Sequence, residues 1–272
     1  MKKILFFETN KFTGATRVTR TLAKAAKKRY EVAFAKVGEN VKTDIESAIE
    51  KEQPDILFSS FVQINPEVIL AGERHSLYVI IRNDYKLEDV PDNVRLRAIE
   101  SYPLVDEIIA QTEEMRHSLL TIPGIEASKV RVLENPLDEE DIIEKAKESN
   151  PFQDNGCYHF LWVGRKDPIK DLPTLQKAFE IVNKENSATD LTLVFDDPNP
   201  YKWMKHADCL VISSKSEASP NVLREALFLG TPVISTDCSP TVRQLLEKDR
   251  IVPVGDYVKM AEAMMSIMRE LS

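Results

Sequence analysis

Residues 209–236, Cys-Leu-Val-Ile-Ser-Ser-Lys-Ser-Glu-Ala-Ser-Pro-Asn-Val-Leu-Arg-Glu-Ala-Leu-Phe-Leu-Gly-Thr-Pro-Val-Ile-Ser-Thr, constrain the fold more than any other stretch. They open on an apolar, branched run, Cys209–Ser213, of the kind buried on both faces of a parallel sheet. Ser219 then stands as an N-cap and Pro220 at the first helical position, where its missing N–H is no loss, so a helix is expected over 220–229. Gly230 supplies a left-handed C-cap, Pro232 blocks continuation, and Val233–Ser235 is the next strand. A strand–loop–helix–strand unit defines an α/β fold, and the loop Ser214–Ser219 falls at the carboxyl end of a parallel strand, where open sheets bind ligands. Two carboxylates flank that place, Glu217 before the helix and Glu225 within it, eight positions later.

The pairing has a chemical use. Unpaired N–H groups and a partial positive charge at a helix start suit a phosphate. An ionised carboxylate accepts from two neighbouring hydroxyls, such as those of a ribose.

The same alternation runs through the chain. Strands are expected at Ile4–Phe7, Val32–Ala35, Ile56–Phe58, Tyr78–Ile81, Ile108–Gln111 and Val130–Leu133, with helices near Thr16–Arg29, Val41–Gln53, Pro66–Arg74, Val94–Tyr102 and Thr112–Ile122 between them. Asn135-Pro-Leu-Asp138 breaks the pattern and closes a first domain, 1–138. The second domain, 139–272, opens with an acidic helix, Glu139–Glu148, that reaches a linker at Asn150-Pro151. Its strands are expected at His159–Val163, Leu191–Phe195, Cys209–Ser213, Pro232–Ser235 and Ile251–Pro253, and its helices at Leu172–Asn186, Pro220–Leu229, Thr241–Glu247 and Tyr257–Leu271.

Composition narrows the function. At 272 residues the chain is long for one domain and short for two full Rossmann-like ones. A net charge of −8 argues against a nucleic-acid partner, which is itself a polyanion. Cys157, Cys209 and Cys238 lack metal spacing and lie in or beside expected strands, as buried thiols of a reducing compartment do. Met1–Phe7 turns polar at Glu8, too soon for a secretory core, and no apolar run is long enough to cross a bilayer. A cytoplasmic protein is expected, attached at most to the inner face of a membrane. The first turn, Thr9–Thr16, holds the single glycine Gly14 and so lacks the dinucleotide fingerprint. Asp196-Asp197 has the wrong spacing for a metal-binding pair and runs straight into Pro198. The four histidines show no ligand spacing, and Trp162 and the methionines of the last helix are expected in the core.

Glu217-x7-Glu225, with Ala207-Asp208, Ser213-Ser214, Pro220-Asn221 and Gly230-Thr-Pro-Val around it, resembles the signature segment of retaining GT-B glycosyltransferases, the family-4 group in particular. The resemblance implies two Rossmann-like domains with parallel sheets facing across a cleft, the first binding an acceptor and the second a nucleotide-diphosphate sugar. Gly164-Arg165-x4-Lys170, with Ala178-Phe179 beyond, resembles the family's G-R-x4-K segment. By that likeness Arg165, Lys170 and Glu217 are the catalytic residues, and Gly164, Ser219, Pro220, Asn221, Val222 and Glu225 complete the donor site. Fixed cations in a dry cleft act most strongly as charge grows on the departing diphosphate. Phe12-Thr13-Gly14-Ala-Thr-Arg-Val and Arg82-Asn83 resemble acceptor-side segments, so Thr13, Gly14, Arg82 and Asn83 are assigned there; Arg82 with Asp84 reads equally as a salt-bridged strand end. No metal and no cofactor are implied.

Two departures stand out. The family's Lys-Gly is Lys170-Asp171 here, and a helix and strand usually found before Cys209 are missing, since Leu191–Phe195 runs directly into Asp196–Asp208. The missing unit normally helps to build the nucleobase pocket. The expected activity is transfer of a sugar, with retention, to a glycan or lipid-linked sugar acceptor. The alternatives are a non-catalytic glycosyltransferase-like subunit or another GT-B enzyme such as a sugar-nucleotide epimerase. Arg17, Arg20, Lys24, Lys27 and Lys28 lie near one face of the first helix, either as a solvated stripe or as a peripheral membrane contact. Val258, Ala261, Met265 and Met268 form an apolar stripe on the last helix, expected to pack partly on the first domain.

Overall fold

A computed structural model of the chain describes residues 1–10, 13–83 and 90–270, and not the side chain of Asn83. Phe12, Asp84 and Leu271 therefore lie outside the described residues. The chain divides into two compact units, Met1–Pro136 and Leu137–Ser272.

The first unit carries β1 (Lys3–Thr9), β2 (Glu31–Val37), β3 (Ile56–Ser59), β4 (Tyr78–Asn83), β5 (Glu107–Ala110) and β6 (Val130–Val132), connected through α1 (Gly14–Ala26), α2 (Val41–Glu52), α3 (Asn65–His75), α4 (Asp92–Ser101) and α5 (Glu113–Leu120). The strands pair in parallel in the order β2-β1-β3-β4-β5-β6. The register sets Phe6 beside Phe34 and Phe58, and the Phe6 and Phe58 ring centroids are 4.8 Å apart. β1 therefore sits where the strand order reverses. α1 starts earlier than its apolar pattern suggests because Thr13 and Thr16 cap it reciprocally: Thr16 N–H donates to Thr13 Oγ1 at 3.4 Å and Thr13 N–H to Thr16 Oγ1 at 3.1 Å.

The second unit contains α6 (Glu139–Ala146), β7 (Tyr158–Gly164), α7 (Leu172–Glu185), β8 (Thr189–Phe195), α8 (Tyr201–His206), β9 (Cys209–Ile212), α9 (Asn221–Phe228), β10 (Val233–Thr236), α10 (Pro240–Leu245), β11 (Ile251–Val252) and α11 (Tyr257–Glu270). Its strands pair in parallel in the order β11-β10-β9-β7-β8. Strand alternation splits its core into two layers. Leu161, Val163, Leu210 and Ile212 meet α6, α8 and α9 through Ile142, Met204 and Leu223. Phe160, Trp162, Cys209 and Val211 meet α7 and α11 through Leu175, Val182, Met260 and Met264. Ala261 and Met268 lie in this second layer and Met265 packs against it, so the apolar stripe of α11 has a partner surface within its own unit; Val258 is 46% exposed.

β8 passes to β9 through the short α8 alone, so the second sheet is shortened on that side. The sequence pattern predicts no helix there. α8 begins because Asn199 folds back on the chain: its Oδ1 accepts from Tyr201 N–H at 3.2 Å and its Nδ2 donates to Lys145 O at 3.0 Å.

Candidate functional site

In the second sheet β7 has β8 on one side and β9 on the other, so the strand order reverses there. The chain leaves the carboxyl ends of β7 and β9 as the segments beginning at Arg165 and Ser213. A crevice outside adjacent strands at such a point is the usual ligand site of an open sheet. The two segments are laced together: Lys215 N–H donates to Ile169 O at 2.7 Å, and Ser213 Oγ to Lys170 O at 2.7 Å.

Lys170 and Glu217 meet at this point. Lys170 Nζ lies 2.5 Å from Glu217 Oε1, and each side chain is 17% exposed. Ser214 Oγ donates to the same carboxylate oxygen at 2.8 Å. The Glu217 backbone is fixed from the segment that follows β10, its N–H donating to Cys238 O at 3.0 Å. Burial pushes the Cys238 thiol up to about 11, with the Glu217 charge adding to the effect, so it stays protonated at neutral pH.

Lys170 is held in place by local geometry. Asp167 accepts from Ile169 N–H at 3.1 Å and opens a one-turn helix over Pro168–Lys170, which ends at Asp171 with φ 47°. That is the position at which the glycine of the resembling motif is missing. Aspartate enters the left-handed region at lower cost than most residues, and here its carboxylate also accepts from Thr174 Oγ1 at 2.8 Å. The departure thus keeps the turn.

Arg165 is 40% exposed at its side chain and lies 3.4 Å from Asp167 Oδ2. Gly164 lets the Trp162 ring fold over the backbone: an added Cβ would meet the ring at 2.9 Å. Trp162 is core, as expected, packed beside Phe195 with ring centroids 5.3 Å apart.

The start of α9 corrects one expectation. The helix begins at Asn221, with Pro220 in the N-cap place and its backbone still extended at ψ 113°. Ser219 therefore stands one position too early to cap it in the expected way, and its hydroxyl accepts from Thr241 Oγ1 at 3.3 Å. Val222 packs against the core layer beneath. Gly230 does terminate the region in the left-handed conformation, at φ 78°. Glu225, one turn into the helix, is only 4% exposed, and the Tyr201 hydroxyl donates to its Oε1 at 3.4 Å. Sequence reading missed Tyr201 as a partner of the site. Its signal was the Asn199-Pro-Tyr run that opens α8.

The acceptor-side assignments fall in the first unit. Thr13 and Gly14 form the capped start of α1, and Asn83 ends β4. Arg82 is 1% exposed, donating to Asn135 Oδ1, whose Nδ2 donates to Gln111 at 3.4 Å. Burial lowers the Arg82 guanidinium to about 9, which leaves it charged at neutral pH. At the end of β1, the buried Glu8 receives Arg20 bidentately at 2.8 and 3.0 Å, so this cation of the expected basic stripe is engaged by a carboxylate. Asp197, of the Asp196-Asp197 pair, accepts from Asn199 N–H at 2.7 Å and from Trp203 Nε1 at 3.0 Å.

Two α/β units with parallel sheets define the GT-B fold, and solved glycosyltransferases share it. The chain superposes on Anabaena HepE in complex with UDP-glucose with a TM-score of 0.78 at 14% identity, covering 100% of this chain and 91% of that one. For sucrose-phosphate synthase of Thermosynechococcus elongatus the TM-score is 0.75 at 12% identity, over 99% and 90% of the two chains. Residues 142–270, nearly the whole second unit, match the family described as glycosyl transferases group 1.

Among curated relatives, an uncharacterised glycosyltransferase of Methanocaldococcus jannaschii is 44% identical over 70 residues, 26% of this chain and 17% of that protein. The Campylobacter jejuni N-acetylgalactosamine-N,N'-diacetylbacillosaminyl-diphospho-undecaprenol 4-alpha-N-acetylgalactosaminyltransferase is 26% identical over 170 residues, 54% of this chain and 46% of that protein. The chain thus aligns with less than half the length of either relative.

Proposed function

We propose that the protein is a retaining glycosyltransferase that moves a hexosyl group from a nucleotide-diphosphate sugar to a glycan or lipid-linked sugar, without a metal ion. The observation that carries this reading is the meeting of Lys170 and Glu217, from the ends of adjacent parallel strands, at 2.5 Å. An ammonium beside a helix start suits a diphosphate, and the paired carboxylate suits a sugar hydroxyl. Arg165 and Lys170 would hold the diphosphate and stabilise its charge as the glycosidic bond breaks. Glu217 would contact the transferred sugar, and Glu225, beyond Ser219–Val222, the ribose. The UDP-glucose complex of HepE and the diphospho-undecaprenol acceptor in the Campylobacter relative's name point the same way. Peripheral contact with an anionic inner membrane surface through α1 belongs to this proposal. No helix among the described residues is long and apolar enough to cross a membrane.

A second reading is favoured by the direct passage from β8 through α8 to β9, which leaves little structure to enclose a base: a non-catalytic subunit that binds a sugar or a partner enzyme. A thermal-shift screen against UDP-, GDP- and other nucleotide sugars, followed by a donor-consumption assay with and without EDTA, separates the two. Turnover that survives EDTA supports the enzyme, and loss restored by magnesium contradicts the metal-free mechanism.

A further inference from the structure

Ser213 and Ser214 follow β9 directly, and each fixes one member of the Lys170–Glu217 pair. Ser213 Oγ donates to Lys170 O at 2.7 Å, which anchors the backbone that carries the ammonium. Ser214 Oγ donates at 2.8 Å to Glu217 Oε1, the oxygen that also faces Lys170 Nζ. Ser214 is itself pinned, because Thr236 Oγ1 on β10 donates to its carbonyl at 2.6 Å. Ser213, Ser214 and Thr236 are fully buried or within 1% of it, so water does not replace these donors.

We propose that Ser214 is the positioning residue for Glu217, with Ser213 and Thr236 fixing the backbone on either side. This rests on the proposed function and deepens it. A free glutamate side chain samples several rotamers, and fixing it by a buried, immobile donor removes that freedom before substrate arrives. Lys170 alone would not do this, because its own flexible stem moves with the carboxylate it pairs with. A hydroxyl from a second segment, fastened to a third strand, breaks that circularity.

A merely structural serine would alter folding and nucleotide affinity together with turnover, whereas a positioning serine alters turnover alone. The experiment measures kcat and donor KM by donor consumption, the dissociation constant of the matching nucleoside diphosphate, and the melting temperature, for the parent and Ser214→Ala. In Ser214→Ala kcat is expected to fall about ten- to a hundredfold, the loss of one hydrogen bond to a charged group, with nucleoside diphosphate affinity unchanged within about threefold. If Ser214→Ala fails to fold, Ser214→Cys, nearly isosteric but a weak donor, is read in its place with the same expectation. Unchanged kcat in a folded variant, or equal losses in kcat and nucleotide affinity, overturns the inference alone. A parent that neither binds nor consumes any nucleotide sugar overturns the function beneath it, and the inference with it.

Discussion

Asp171 holds its backbone at φ 47° and receives the Thr174 hydroxyl on its carboxylate at 2.8 Å, so one side chain stabilises the turn that sets Lys170. Glycine would enter this turn without strain but lose the hydrogen bond. Alanine would keep the strain and lose the bond as well. Left-handed backbone costs an ordinary residue ~1–2 kcal/mol and a lost hydrogen bond ~1 kcal/mol. Urea unfolding is therefore expected to place Asp171→Ala ~2 kcal/mol below the parent and Asp171→Gly within ~1 kcal/mol of it. Equal losses would show that the conformation is not what matters.

At the end of β1, Glu8 is a buried carboxylate held by both nitrogens of one arginine edge. Removing that partner leaves a desolvated charge, so Arg20→Ala is expected to cost ~1–3 kcal/mol in urea unfolding, with the Arg20 half exposure keeping it below a fully buried pair. Vesicle attachment is tested at Arg17 and Lys24, which leaves the Arg20–Glu8 pair intact. Their joint change to glutamate should reduce sedimentation with anionic vesicles, each cation contributing ~1 kcal/mol, and salt should do the same. A parent that does not sediment ends the membrane proposal.

Acid stability has a local contributor in the first unit. His75, and after it Arg74, hold the Glu46 carboxyl below its ordinary value of 4.5. Glu46 thus releases its proton more readily folded than unfolded, which adds stability above pH 4.5 that disappears as pH falls through its depressed value. Glu46→Gln should lower the urea midpoint at pH 6 and narrow its gap from the parent at pH 3. A constant gap at both pH values would contradict the assignment.

The α/β class and the strand pattern were legible because the signals are local. Phe160 and Trp162 alternate with Leu161 and Val163, and the two pairs face different core layers. The contact that makes the site was not legible in this way. Lys170 and Glu217 are 47 residues apart and meet because β7 and β9 are neighbours in space, which depends on sheet order rather than on periodicity. Arg82 shows the same limit: a charged strand end suggests solvent, yet Asn135, 53 residues further on, supplies an acceptor that lets it be buried. The start of α9 depended on a single backbone angle at Pro220, which a Ser-Pro pair leaves open.

Arg165 tests the electrostatic part of the mechanism. Its guanidinium is near Asp167 and partly exposed, a position from which an incoming diphosphate can compete for it. Arg165→Ala should lower kcat about a hundred- to thousandfold, the range for losing one charged contact to a transition state, with little change in acceptor KM. Unchanged turnover removes the residue from the mechanism.

The central claim is that the carboxyl ends of β7 and β9, with α9, bind a nucleotide-diphosphate sugar. Isothermal titration calorimetry with UDP, GDP and the other nucleoside diphosphates tests it most directly, on the parent, Glu225→Ala and Glu217→Ala. One nucleotide should bind the parent at a single site, with binding abolished in Glu225→Ala and largely retained in Glu217→Ala. No heat with any nucleotide, or equal affinity in Glu225→Ala, would contradict it.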